Sequence, residues 1–111
     1  MCNADDLLKT VIFEARALGI PVASGILPRV RINTRAQTRF GRCIVSSDGS
    51  CQIELAERVL AAGEHACKTV LAHEVLHSCK DCRNHQARWK GYAVRMNAAY
   101  GYDIRRTHSP E

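Results

Sequence analysis

The spacing of apolar residues divides the chain into helical and extended segments. Near the start, apolar residues recur at helical intervals, Asn3 is a capping residue, and Gly19 followed by Pro21 ends the run. From Val30 to Ile32 the period changes to two, which is typical of a half-buried strand. The pattern therefore predicts an N-terminal helix followed by a strand. The apolar helix positions are Leu7, Leu8, Val11, Ile12, Ala15 and Leu18.

Two more strands are predicted over residues 39–45 and 51–55. The turn-forming sequence Ser-Ser-Asp-Gly-Ser lies between them and favours a hairpin. From Leu55 the pattern is helical again and is interrupted at Gly63. A second helical run, residues 65–78, is apolar on several sides and predicts a buried helix. The last helix is predicted over residues 85–100, with an apolar face of Trp89, Tyr92, Ala93, Met96 and Tyr100.

This order of elements predicts an α+β fold with a three-stranded antiparallel sheet. The 111 residues allow one domain, which we expect to span 1–111, and 46% hydrophobic residues exclude wholesale disorder. No apolar run approaches the roughly 18–20 residues of a membrane helix. The first residues are acidic and lack the apolar stretch of a secretion signal, so we expect a cytoplasmic protein.

The predicted buried helix contains the motif H-E-x-x-H at residues 73–77. His73 and His77, four residues apart, lie one above the other on a helix and can bind one metal ion. Glu74 follows the first histidine and can accept a proton from a water at the metal. Two histidines held by ordinary core hydrogen bonds are the alternative, but burial of two imidazoles without a partner is costly. The motif is the strongest chemical signal in the chain.

A catalytic metal needs a third protein ligand. The metzincin spacing would place it six residues after His77, where the chain has Arg83. A thermolysin-type Glu is excluded because the last predicted helix contains no acid. His85 fits best, since residues 78–84 give the chain room to turn back. Cys79 and Cys82 are the alternatives.

Several other residues have more than one interpretation. Cys79 and Cys82 form a C-x-x-C pair, which is a structural zinc half-site completed by Cys43 and Cys51, a redox pair, or two plain reduced cysteines. His65 lies off the face of His73 and is expected to be structural or exposed. His108 is a tail residue or lies near the site. The candidates for stabilising an oxyanion, by residue type alone, are Tyr92, Tyr100 and Tyr102.

The charge is unevenly distributed. The formal net charge is +5. Residues 29–42 hold five arginines and no acid, and residues 80–106 hold seven basic residues against two acids. Such stretches suit contacts with the phosphates of DNA, and a solvated basic face is the alternative. The candidate DNA-binding residues are Arg29, Arg31, Arg35, Arg39, Arg42, Arg88 and Arg95.

The motifs resemble those of SprT-like (Spartan-type) zinc metalloprotease domains. The resemblance lies in His73-Glu74-x-x-His77 followed by Asn84-His85-x-x-x-Trp89-Lys90, and it covers residues 30–108. Gly41-Arg42-Cys43, the hairpin and Ile53-Glu54-Leu55 are similar to the family's strands before the metal helix, and Arg105-Arg106-Thr107-His108 is similar to a bacterial SprT ending. Phe40 stands where a Trp is frequent, and a C-terminal zinc ribbon is not expected.

The resemblance implies a minimal zincin-like domain that hydrolyses peptide bonds in DNA-associated proteins. The ligands of Zn²⁺ would be His73, His77 and His85, and Glu74 would be the general base. A different class of function stays open at this stage: a nucleic-acid-binding module whose metal is structural and which has no protease activity. The sequence does not identify the substrate or the oligomeric state.

Overall fold

The computed structural model describes residues 3–79 and 87–105 and shows an α+β fold. The described residues form four helices and a small three-stranded sheet. The elements, in chain order, are α1 (Ala4–Ala17), β1 (Arg31–Asn33), β2 (Gly41–Val45), β3 (Cys51–Ala56), α2 (Glu57–Ala61), α3 (Glu64–His77) and α4 (Ala87–Tyr100). The predicted order of helices and strands is confirmed over the described residues.

Helix α1 begins at the residue that the sequence predicted. The Asn3 side chain accepts hydrogen bonds from the backbone N–H groups of Asp5 and Asp6, at 3.0 and 3.2 Å. The two acids also lie at the positive end of the helix dipole. The helix ends before Gly19, whose φ of 78° is in the left-handed region that favours glycine. Leu8, Val11 and Ala15 bury its apolar face.

The sheet is mixed, so the prediction of an antiparallel sheet was wrong in one pairing. β2 and β3 form the predicted antiparallel hairpin, whereas β1 runs parallel to β3 on its other side, which gives the order β1-β3-β2. Residues 34–40 carry the chain past the end of β3, so that β2 starts at the opposite edge. Alternation of apolar residues identifies a strand but carries no information about its neighbour or direction, which is why the sequence missed this.

Helix α3 is the central element of the core. Its hydrophobic residues are buried around most of its circumference, because α1, the sheet, α2 and α4 all pack on it. This confirms the predicted buried helix. One side of the sheet covers it with Ile53 and Leu55, both fully buried. β2 lies close to α3 at Gly41, which has no side chain: a Cβ there would lie 2.8 Å from Val70 Cγ1.

No helix among the described residues is long and apolar enough to cross a membrane.

Candidate metal centre

Helix α3 brings three potential metal ligands together in its last turns. His73, Glu74 and His77 each offer a ligand atom, and these atoms lie within 4.8 Å of one another. The two imidazole Nε2 atoms are 3.3 Å apart, and His73 Nε2 is 4.0 Å from Glu74 Oε2. His73 and Glu74 are buried, whereas His77 is partly exposed. The cluster is therefore reached from the His77 side.

The ring of His73 is oriented by the backbone. Its Nδ1 lies 2.9 Å from the carbonyl oxygen of Arg105. Since a carbonyl oxygen only accepts hydrogen bonds, Nδ1 must carry the proton and donate it. The Nε2 lone pair of the neutral ring then points towards His77. A ligand imidazole in a metal site is commonly held in this way through its other nitrogen.

Trp89 of α4 packs against both histidines. Its ring centroid lies 4.8 Å from that of His73, nearly edge to face, and 5.5 Å from that of His77, nearly stacked. The indole is 1% exposed, and its Nε1–H donates to the backbone carbonyl of His73 at 3.4 Å. The large aromatic ring therefore restricts the movement of both imidazoles.

Glu74 has an unusual electrostatic environment. Burial of its carboxyl raises the pKa from the ordinary 4.5 to about 8, and the positive charge of Arg39 opposes part of this rise. The Glu74 side chain packs against β2 at Gly41, where a Cβ would lie 3.3 Å from Glu74 Cγ. A carboxyl with a pKa close to neutral is suited to proton transfer.

A cleft of about 270 Å³ opens on this carboxyl and on His77. One wall is β2, which lies at the edge of the sheet and contributes Arg42, Cys43 and Val45. The other wall is the C-terminal part of α3. The cluster is thus accessible to a molecule that lies along the edge strand.

The comparison with protein families agrees with this geometry. The model of the SprT-like family matches residues 17–108, which is most of the chain. The chain belongs to the SprT-like family. No curated protein and no solved structure matches it. The family is associated with a metalloprotease-like domain, and the His/Glu cluster of this SprT-like chain is compatible with a bound metal ion.

Other predicted residues of the SprT-like chain lie outside the described residues. These are the third candidate ligand His85, the alternative ligand Cys82 and the C-terminal His108. Cys79 is described and buried, and within residues 3–79 and 87–105 it forms no cluster of three metal ligands with Cys43 and Cys51.

The predicted roles of the remaining aromatic residues can be assigned in part. The hydroxyl of Tyr100 donates to the backbone carbonyl of Glu14 at 2.9 Å, and that of Tyr102 donates to the Glu14 carboxylate. These hydroxyls therefore join the end of α4 and Tyr102 to α1, and in this structure they donate to Glu14 and not to a group in the cleft. Tyr92 is partly buried, and its role stays a prediction. His65 is exposed, as expected.

All seven arginines of the predicted DNA-binding set are exposed. Two of them flank the buried Glu54 of β3 in register: Arg31 Nε lies 3.8 Å and Arg42 Nε 3.9 Å from its carboxylate oxygens. Asn33 Nδ2 donates to the same carboxylate at 3.4 Å. The sequence alone did not predict that Glu54 interacts with these two arginines. They lie on the two strands on either side of β3, so the interaction depends on how all three strands align.

Proposed function

We propose that this SprT-like domain is a zinc-dependent endopeptidase in which Glu74 is the general base. The observation that carries the proposal is the pair of converging imidazoles beside a buried carboxyl, at the base of a cleft along an edge strand. Two features of the site support the two parts of this proposal: the position of Glu74 supports proton transfer, and the edge strand β2 supports binding of a peptide.

The spacing of the imidazoles supports zinc. Two Zn–N bonds of about 2.0–2.1 Å at a roughly tetrahedral angle require nitrogen atoms about 3.3 Å apart. The Nε2 atoms of His73 and His77 have this separation. His85 is the third ligand in this proposal, on the evidence of its sequence position. A bound Zn²⁺ would supply Lewis-acid activation of water and of the peptide carbonyl.

The protein's own groups would carry the proton. Glu74 lies next to His73, with 4.0 Å between Oε2 and Nε2, so its carboxylate can accept a proton from a water in the cleft. It then donates this proton to the leaving nitrogen of the peptide. A cation at the imidazoles would favour the ionised form of Glu74, because an opposite charge lowers the pKa of a carboxyl.

The edge strand supports a peptide as the substrate. β2 pairs with β3 along one edge and is the last strand of the sheet. Three of its residues also line the cleft. An extended chain can add to such an edge through backbone hydrogen bonds, which select for a polypeptide without selecting a sequence. The exposed arginines support cleavage of proteins that are associated with DNA, since they can contact phosphates next to the cleft.

The decisive experiment compares the parent with Glu74→Gln. We expect the variant to retain zinc and to lose proteolysis of an unfolded protein substrate by about 10²–10⁴-fold, which is the usual contribution of a general base. Glu64→Gln, at an exposed position in the first turn of the same helix, is the control and should remain active. Full peptidase activity in a zinc-loaded Glu74→Gln protein would refute the mechanism.

The same assay tests the second candidate, a nucleic-acid-binding module. The exposed arginines favour this function, and the assay is therefore run with and without single-stranded DNA. Binding of DNA by a parent protein that never cleaves would establish the module. If Arg31 or Arg42 contacts a phosphate, its change to Ala should reduce the slope of log K against log salt by about 1.

A further inference from the structure

A short segment after α4 connects the metal centre to the rest of the domain. Residues 101–105, here called the strap, leave α4 at Gly101 and lie on the core. Exposed and buried residues alternate along it, with Tyr102 at 6% and Ile104 at 5% exposure. This alternation is typical of an extended chain with one face on the core. The strap ends at the carbonyl that accepts the hydrogen bond from His73.

One side chain satisfies both backbone polar groups of Ile104. Asn97 Oδ1 accepts from the Ile104 N–H at 2.8 Å, and Asn97 Nδ2 donates to the Ile104 carbonyl at 3.1 Å. The backbone N–H can only donate, which fixes the orientation of the carboxamide. Asn97 therefore holds the strap as a neighbouring strand would, from the last turns of α4. No other residue type of this length offers one donor and one acceptor.

The next carbonyl along the strap belongs to Arg105 and faces α3. It lies 2.9 Å from His73 Nδ1, whereas the Ile104 carbonyl faces Asn97 of α4. The hydrogen bond to the Ile104 carbonyl and the burial of the Ile104 side chain hold the peptide group between residues 104 and 105, so only the φ and ψ angles of Arg105 separate its carbonyl from a fixed part of the chain. The position of this oxygen decides which ring nitrogen of His73 carries the proton.

We propose that Asn97 is a positioning residue for the metal centre: it fixes the strap through Ile104 so that the Arg105 carbonyl holds His73 with its Nε2 lone pair towards the metal. The inference rests on the proposed function, since it assigns His73 as a ligand. Tyr102 anchors the other end of the strap to Glu14 of α1. Asn97 itself is not a ligand, because both polar atoms of its side chain are engaged by Ile104.

The test measures zinc binding and the tautomer of His73 in the full chain. Zinc affinity is determined by competition with a chromophoric chelator, and the tautomer by long-range ¹H–¹⁵N correlation in the metal-free protein. The parent should show the proton on Nδ1. Asn97→Ala should give a mixture of tautomers and weaken zinc binding by about 10–100-fold, the usual effect of losing a group that orients a ligand.

The control is Tyr100→Phe, which also removes a hydrogen bond from a side chain near the end of α4 to a backbone carbonyl, but not one to the strap. It should keep the parent's zinc affinity and tautomer. Asn97→Asp keeps the acceptor for the Ile104 N–H and loses the donor, so it should also weaken zinc binding, and it serves if Asn97→Ala does not fold.

The outcomes separate the two claims. A folded Asn97 variant with the parent's tautomer and zinc affinity would overturn the positioning role and leave the proposed function intact. Equal losses in the Tyr100→Phe control would also overturn it, because a general loosening of α4 would then explain the effect. A parent protein that does not bind zinc would instead overturn the proposed function, whatever the tautomer of His73.

Discussion

Burial of Glu74 should make the metal-free protein lose stability as the pH rises. Only 6% of this side chain is exposed, and its pKa is about 8 in the folded protein against an ordinary value of 4.5. Between these two values the folded state binds more protons than the unfolded state. The contribution of Glu74 to stability is therefore fully present below about pH 4.5 and is lost progressively as the pH rises towards 8.

The magnitude follows from the two pKa values. Each pH unit between them costs about 1.4 kcal/mol, so the total loss approaches 5 kcal/mol above pH 8 and is roughly 3 kcal/mol at pH 7. This is a large part of the about 5–15 kcal/mol by which small domains are stable. Zinc should restore more stability at pH 8 than at pH 5, since it binds the folded state and favours ionised Glu74.

The assay is urea unfolding of chelator-treated protein between pH 5 and pH 8. Glu74→Gln removes the titrating group, so this variant should be more stable than the parent at pH 8 and should lose much less stability across the range. Glu64→Gln, whose side chain is exposed at the start of α3, should follow the parent. The reasoning is refuted if the free energies of unfolding of Glu74→Gln and the parent change in parallel with pH.

Two further predictions concern packing around the same cluster. Gly41→Ala places a Cβ 2.8 Å from Val70 Cγ1 and 3.0 Å from the Glu54 carbonyl oxygen, so it should cost about 1–3 kcal/mol of stability and lower activity by displacing Glu74. Gly91→Ala is its control in a thermal unfolding assay: nothing lies within 4 Å of that Cβ, and the helical position should gain up to about 1 kcal/mol. Trp89→Phe keeps an aromatic ring but loses the hydrogen bond to the His73 carbonyl, so zinc titration should show weaker binding than in the parent; unchanged zinc affinity would show that the indole does not restrain the imidazoles.

Features that depend on neighbours along the chain could be predicted from the sequence. The cap at Asn3, the hairpin between β2 and β3, and the buried nature of α3 all follow from local spacing and residue type, and the structure confirms them. The pairing of His73 with His77 belongs to the same class, because an interval of four residues on a helix fixes their separation before any tertiary contact forms. The motif therefore indicated the position and the kind of chemistry.

Only the tertiary structure decided how that motif is surrounded. The position of β1 beside β3 depends on the path of residues 34–40 past the end of β3. The alternation of side chains cannot predict this path. His73 donates its hydrogen bond to the backbone carbonyl of Arg105. Every residue has such a carbonyl, so the residue type could not identify this partner. The raised pKa of Glu74 likewise depends on desolvation by β2 and α3 packed together. Local geometry can be predicted from residues that are neighbours in the sequence. The orientation and tautomer of His73 and the charge state of Glu74 depend on groups from distant parts of the chain.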